Sequence, residues 1–258
     1  MFPIIGVIHL PPLPGSPNHR SWEECLESAL RDARALAEGG VDAVIVENFG
    51  DMPFLRKVGE ETIACMTVIA WEVKEETGLP LGINVLRNDA KAAVAIAKAV
   101  GADFVRINQL FYASLSPEGW LEGEAGEVMR FKRAIGCEAM IFADVRVKHA
   151  HHFVGVRDYL ENAERCLVDA VIVTGEATGK PVSVEELKEV RRYAKMPVLV
   201  GSGVTPNNLK TIFPYCDGVI VGTYFKRRGR VDVERVRRLV EERNSLLKSE
   251  KFDDDVFV

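Results

Sequence analysis

Eight short runs of apolar, largely β-branched residues recur along the chain, with segments of helical period between them. The runs are Ile4–His9, Ala43–Glu47, Leu81–Val85, Phe104–Asn108, Ala139–Asp144, Ala170–Thr174, Val198–Gly201 and Gly218–Gly222. They are continuously apolar rather than alternating, as strands are when both faces of a parallel sheet are covered. Between them, Trp22, Leu26, Leu30, Ala33 and Ala37 form one helical stripe; Ala93, Ile96, Ala97 and Val100 form another, and Val233, Val236, Leu239 and Val240 a third. Ser21-x-x-Glu24 and Ser183-x-x-Glu186 read as capping boxes at helix starts. Eight such units in 258 residues predict a (β/α)8 TIM barrel, with a doubly wound open sheet as the competing fold. The barrel domain is placed at residues 1–246. Residues 247–258, ending KFDDDVFV, are read as a C-terminal tail, a flexible end or a subunit contact.

Internal repetition favours the closed form. DAVIV at Asp42 recurs at Asp169, an offset of 127; Pro80-Leu-Gly-Ile resembles Pro197-Val-Leu-Val, an offset of 117; Asp103-Phe-Val-Arg-Ile resembles Asp217-Gly-Val-Ile-Val, an offset of 114. The second, third and fourth strands thus echo the sixth, seventh and eighth. The connections are uneven as well. Helix-to-strand links are brief (38–41, 78–79, 101–102, 195–196), whereas strand-to-helix links at 10–21, 48–59, 108–124 and 145–156 are long. In a barrel all the long links gather at the C-terminal face, where active sites are built.

Composition narrows the function classes. No stretch approaches the roughly 18 uninterrupted apolar residues of a membrane span. The start MFPIIGVIHLPPLPG lacks the basic segment of a secretory signal. Five scattered cysteines without a CxxC pair argue against a disulfide framework or zinc ribbon and for a cytoplasmic setting. A net charge of −5 argues against nucleic acid as a partner. A single glutamine, Gln109, is a weak sign of a heat-adapted source.

The candidate chemistry lies at the strand ends. Strand 7 leads into Gly201-Ser202-Gly203-Val204-Thr205-Pro206, and strand 8 into Gly222-Thr223. Glycines let backbone N–H groups approach an anion, and this pair of loops forms the phosphate grip of many barrels. Thr205 is expected to cap the following helix rather than bind ligand, because Pro206 suits its first turn. After strand 5 come Asp144, Lys148, His149, His151 and His152. The carboxylate, ammonium and imidazole of Asp144, Lys148 and His149 suit general acid/base work, with a solvated polar loop as the alternative. The histidines lack a fixed helical spacing, so no metal is assigned, and no motif calls for a cofactor. Lys148 would suit a Schiff base only if desolvated, whereas a loop lysine ordinarily stays hydrated and protonated. His9, Glu47, Asn48, Asn84, Arg106 and Asn108 complete a polar cup at the other strand ends, with His9 and Glu47 as further catalytic candidates and the rest as substrate-binding ones. The basic run Lys226–Arg230 is read as solvated surface.

Five ordered motifs resemble those of the BtpA/SgcQ family: Val7–Pro17 (VIHLPPLPGSP), Gly82–Ala90 (GINVLRNDA), Ala143–Ala150 (ADVRVKHA), Val200–Leu209 (VGSGVTPNNL) and Asp217–Lys226 (DGVIVGTYFK). The resemblance spans nearly the whole chain. It implies a barrel of the ribulose-phosphate-binding type, acting on a phosphorylated sugar or nucleoside-like metabolite by isomerase, lyase or nucleosidase chemistry. It equally implies an alternative: a non-catalytic factor in photosystem biogenesis that retains the barrel. The family's motifs mark His9, Glu47, Asn48, Asn84, Asn108, Asp144, Lys148, His149, Ser202 and Thr223. By analogy with barrels of this type, a homo-oligomer is an expectation. Phosphoribosylanthranilate isomerase would place a cysteine base at the end of strand 1, where this chain has His9. The stretches Gln109–Glu118 and His151-His152 also depart from the family pattern.

Overall fold

Strand β1 (Ile4–His9) pairs in parallel with both β2 (Ala43–Glu47) and the last barrel strand, β8 (Gly218–Val221), and so closes the sheet on itself. Between them run β3 (Leu81–Asn84), β4 (Phe104–Ile107), β5 (Met140–Val145), β6 (Ala170–Val173) and β7 (Val198–Val200), giving eight parallel strands in one closed barrel. The computed structural model describes residues 2–175 and 181–254. Several strands stop a residue short of the apolar runs because their last residues turn into the upper loops.

Helices α1 (Trp22–Gly39), α2 (Glu60–Thr77), α3 (Ala90–Val100), α4 (Ala125–Ala134), α5 (Val156–Ala163), α6 (Val184–Tyr193), α7 (Pro206–Ile212) and α8 (Val233–Asp254) each follow one strand. The Ser21 hydroxyl accepts from Glu24 N–H at 3.2 Å, and Ser183 from Glu186 N–H at 3.1 Å, so both expected helix starts are in place. Thr205 is the N-cap of α7 with Pro206 directly after it. The face of α1 is rotated from the expected stripe. Cys25, Ala29, Ala33 and Leu36 are buried, while Trp22, Leu26 and Leu30 cover the margin, because small residues allow the closest approach to the sheet. Helix α8 continues to Asp254, through most of the segment read as a tail; residues 255–258 lie outside the described residues. Among the described residues no helix is long and apolar enough to cross a membrane.

The sequence repeat has a structural cause at the lower rim, where the strands begin. The aspartate preceding each even-numbered strand accepts the N–H of the strand before it: Asp42 from Ile4 (2.8 Å), Asp103 from Leu81 (2.8 Å), Asp169 from Ile141 (2.7 Å) and Asp217 from Val198 (2.8 Å). Each aspartate N–H donates in turn to the carbonyl of the same residue. A backbone donor at the start of a strand needs a partner, and a carboxylate supplies a charge-assisted one.

At the upper rim two long loops pair with each other. Ala113–Ser116 and Gly119–Glu122 form a hairpin, and His151–His152 adds a third antiparallel strand beside Ala113–Ser116. Under it lies a buried polar network. Gln109 Nε2 donates to Tyr159 Oη (2.9 Å) and Ser114 Oγ to Gln109 Oε1 (2.6 Å). His152 bridges Tyr159 Oη (3.1 Å) and the Val147 carbonyl (2.8 Å). This network fixes the loop that carries Lys148.

Candidate functional site

The two-residue period of a strand decides what faces the barrel axis. Ile5, Val7, Ala43, Ile45, Phe104, Phe142, Ala170, Ile172, Leu199 and Ile220 form an interior cluster, while alternate residues such as Ile4, Ile8, Val44 and Val46 pack under the helices. Gly82 makes room inside: a Cβ there would stand 2.2 Å from the Phe104 ring, which stacks on Phe142 with centroids 4.7 Å apart. One more step along the strands brings His9, Glu47, Asn84, Arg106, Asp144, Thr174, Gly201 and Gly222 to the upper mouth.

The charged groups there are ordered by Arg106. Its Nε and Nη2 each donate to one oxygen of Asp144 at 3.0 Å, and its Nη1 lies 3.9 Å from Glu47 Oε2. Burial opposes the charge on Arg106, but Asp144 and Glu47 outweigh it and raise its pKa above the ordinary arginine value. Asn108 Nδ2 donates to Asp144 Oδ2, and Asn84 Nδ2 donates to Asn108 Oδ1 and the Arg106 carbonyl, all at 3.0 Å. Asp144, expected to carry protons, therefore has both oxygens engaged and does not line the pocket. Asn84 and Asn108, expected to bind substrate, instead continue the same chain of hydrogen bonds. Asn84 Oδ1 is buried with no hydrogen-bond partner among the described residues.

Above this layer is a cavity of about 160 Å3 lined by His9, Glu47, Arg106, Lys148, the β7 loop from Gly201 to Thr205 and the β8 loop from Val221 to Tyr224. Its size is comparable to a cavity of about 150 Å3 that accepts benzene, enough to seat a phosphate and the atoms next to it. His9 Nε2 lies 3.6 Å from Glu47 Oε1, and its ring stacks on Phe49 with centroids 4.4 Å apart. Burial, then the cations Lys226, Lys148 and Arg106, hold His9 well below its ordinary 6.5, so the imidazole is neutral near pH 7. Gly222 permits this placement, since a Cβ there would lie 2.8 Å from His9 Cε1. Gly201 N–H donates to the Val173 carbonyl at 2.8 Å, so that amide belongs to the barrel; Gly201 serves by leaving space.

The remaining sequence candidates divide. Ser202, Gly203 and Thr223 line the cavity. Asn48, expected to bind substrate, holds a loop: Oδ1 accepts from Leu86 N–H (2.7 Å), and Nδ2 donates to the Leu86 carbonyl and Asp51. His149 lines a neighbouring groove with Arg146 and His151 instead of the cavity, and burial and Lys148 lower its pKa. Two site residues were missed. Arg87, almost fully buried, donates from Nη2 to the Lys148 carbonyl at 2.6 Å and stands 3.6 Å from Glu118. Lys226, read as solvated surface, is partly buried and its charge is felt at His9; burial lowers its pKa while Asp32 and Glu47 oppose the shift. Its signal was available: Arg228-Gly229 is a two-residue hairpin turn with positive φ at both positions (52° and 78°), and it folds Lys226–Arg227 against Arg230–Val231.

The BtpA family model matches residues 1–245. The chain belongs to the BtpA family. An uncharacterised protein of Archaeoglobus fulgidus is 63% identical over 92% of this chain and 96% of its own length. The photosystem I biogenesis protein BtpA of Synechocystis sp. is 40% identical over 96% of this chain and 90% of its own. Among solved structures, N-(5'-phosphoribosyl)anthranilate isomerase from Pyrococcus furiosus superposes with a TM-score of 0.60 at 14% identity, covering 95% of this chain and 100% of the isomerase. This BtpA family member thus shares the TIM-barrel fold of that isomerase. Its strand β1 ends in His9 and not in a cysteine. Its nearest cysteine in sequence, Cys25, is buried on α1 with Sγ donating to the Pro12 carbonyl, and burial pushes its thiol up to about 11.

Proposed function

We propose that the chain is an enzyme that binds a small phosphorylated sugar or nucleoside-like metabolite at the upper mouth of the barrel. The observation that carries this reading is one cavity in which the two glycine-bearing loops after β7 and β8 meet His9, Glu47 and Lys148. The phosphate sits against the backbone of Ser202–Gly203 and Gly222–Thr223, with Lys226 adding positive charge from the side. Backbone amides and nearby cations together suit an oxyanion in a partly desolvated site.

Proton transfer falls to His9 and Glu47, in place of Asp144. A neutral imidazole beside a carboxylate supplies a donor and an acceptor that both reach the cavity. Arg106 keeps Glu47 oriented, and Asp144 keeps Arg106 oriented. The arrangement suits isomerisation, lyase chemistry or glycosidic cleavage next to a phosphate. It is tested by a thermal-shift screen of phosphosugars, nucleotides and nucleosides, followed by turnover assays of each hit with Glu47→Gln, Asp144→Asn and Lys148→Ala. A stabilising phosphorylated ligand whose conversion is lost in Glu47→Gln is the expected result. Binding without turnover in the parent protein sinks the enzyme reading for that ligand.

A second reading has its own observation. The Synechocystis relative is named for photosystem I biogenesis, and in this chain Trp120 of the upper hairpin stacks on Phe153, just past the third upper strand, with Leu115 exposed next to them. On that reading the barrel binds and does not convert. Loss of partner binding in Trp120→Ser, with the cavity intact, would favour it.

A further inference from the structure

We propose that Lys148 is a covalent nucleophile, forming an imine with the carbonyl carbon of a short phosphorylated aldehyde or ketone held in the cavity. The proposal rests on the phosphate-site reading above and names the substrate class and chemistry of that site. Its first support is position. Lys148 lines the same cavity as the loops after β7 and β8, so a guest anchored through its phosphate presents its carbon chain to the Lys148 side of a small chamber.

Rigidity is the second support. The loop holding Lys148 is not free surface, contrary to the sequence expectation. Arg87 donates to the Lys148 carbonyl at 2.6 Å, and His152 holds the preceding Val147 carbonyl at 2.8 Å. His151–His152 is pinned as a strand to Ala113–Ser116. Arg146 and His149, on either side, take positive φ (54° and 60°), which this packing maintains. A nucleophile held in place loses less freedom on reaching its electrophile.

Charge is the third support. Arg106 and Arg87 face Lys148 from the barrel and the β3 loop, while Glu47 and Asp144 oppose them. Both carboxylates already face Arg106, with Asp144 doubly bonded to it. Burial, and then Arg106, lowers the pKa of Lys148 from the usual 10.5. A desolvated lysine next to another cation is the setting in which lysine amines act as nucleophiles.

The step balances without an added oxidant. The Nζ lone pair attacks the carbonyl carbon and the C=O π bond breaks, giving a carbinolamine after one proton moves from nitrogen to oxygen. The carbinol oxygen takes a second proton and leaves as water, and the C=N bond forms. Glu47 and His9, lining the same cavity, would pass these protons.

The test is reductive trapping of the full chain with sodium borohydride, using glyceraldehyde 3-phosphate and glycolaldehyde phosphate as probes, read by peptide mapping. Hydride adds to the imine carbon and leaves a stable secondary amine. The expected result is an adduct concentrated at Lys148, suppressed by inorganic phosphate and lost in Lys148→Arg, which keeps the charge without the nucleophile. Adducts spread over surface lysines with no excess at Lys148 overturn the proposal. Phosphate binding is followed in parallel by 31P line broadening. Binding without a Lys148 adduct defeats the imine alone, whereas no binding defeats the phosphate site as well.

Discussion

Carboxylates occupy both rims of the barrel and have opposite surroundings. At the lower rim Asp42, Asp103, Asp169 and Asp217 each bind the backbone of one neighbouring strand, at the edge of solvent. Two of them also take an arginine from a helix: Asp42 from Arg243 at 2.8 Å and Asp217 from Arg191 at 2.7 Å. At the upper rim Glu47 and Asp144 are buried, share Arg106 and stand within a network that ends at a cavity. The difference teaches how the fold separates its tasks. A carboxylate that satisfies a strand's own backbone has a local structural use. A carboxylate held in the interior by a guanidinium is costly unless paired, and its pairing orients groups that line the cavity.

The largest expected effect lies at the upper rim. Asp144→Ala leaves Arg106 charged and buried without its main partner and costs about 3–5 kcal/mol in urea unfolding. Equal losses in Asp144→Ala and Asp103→Ala would erase the contrast. Next, Asp42→Ala removes a charge-assisted bond to Ile4 and a partner of buried Arg243, for about 1.5–3 kcal/mol, and leaves phosphate affinity unchanged. Asp103→Ala, which lacks an arginine partner among the described residues, falls at or below the bottom of that range. Lys226→Ala weakens inorganic phosphate binding by about tenfold, or about 1.4 kcal/mol, as titration calorimetry would read.

The smallest effect is one of pH. The folded pKa of His9 is depressed, so below pH 6.5 the unfolded chain takes up a proton that the folded chain refuses. Stability therefore falls as pH drops from 6.5 toward the folded value and levels off beneath it. His9→Gln removes this part of the slope in denaturation curves taken across that range. An unchanged slope would contradict the buried neutral imidazole.

The strands were legible because both faces are buried, which writes them as uninterrupted apolar runs. The four-plus-four echo was legible because an aspartate starts each even strand, although its bond to the preceding strand was not. The direction of each strand-end side chain was harder to read, since a continuously apolar strand hides its two-residue period. That is why Asp144, which the structure pairs with Arg106 outside the cavity lining, reads in the sequence as the leading acid/base group and Glu47 as a further candidate. The upper hairpin escaped notice because its alternation is inverted: Ser114 and Ser116 are buried against polar partners, while Leu115 and Trp120 face outward. Gln109, singled out only for its rarity, is the centre of that buried network. Lys226 was hidden among exposed arginines, since Arg227 follows it directly on the same short strand and faces solvent.

The central claim is that the anion site lies at the upper rim, between the loops after β7 and β8. Amide NMR during titration with inorganic phosphate tests it most directly. The account predicts saturable shifts at Ser202, Gly203, Gly222 and Thr223, with the amides of Ile4, Leu81, Ile141 and Val198 at the lower rim unmoved. Shifts confined to the lower rim, or none at the four upper amides at saturating phosphate, would contradict it.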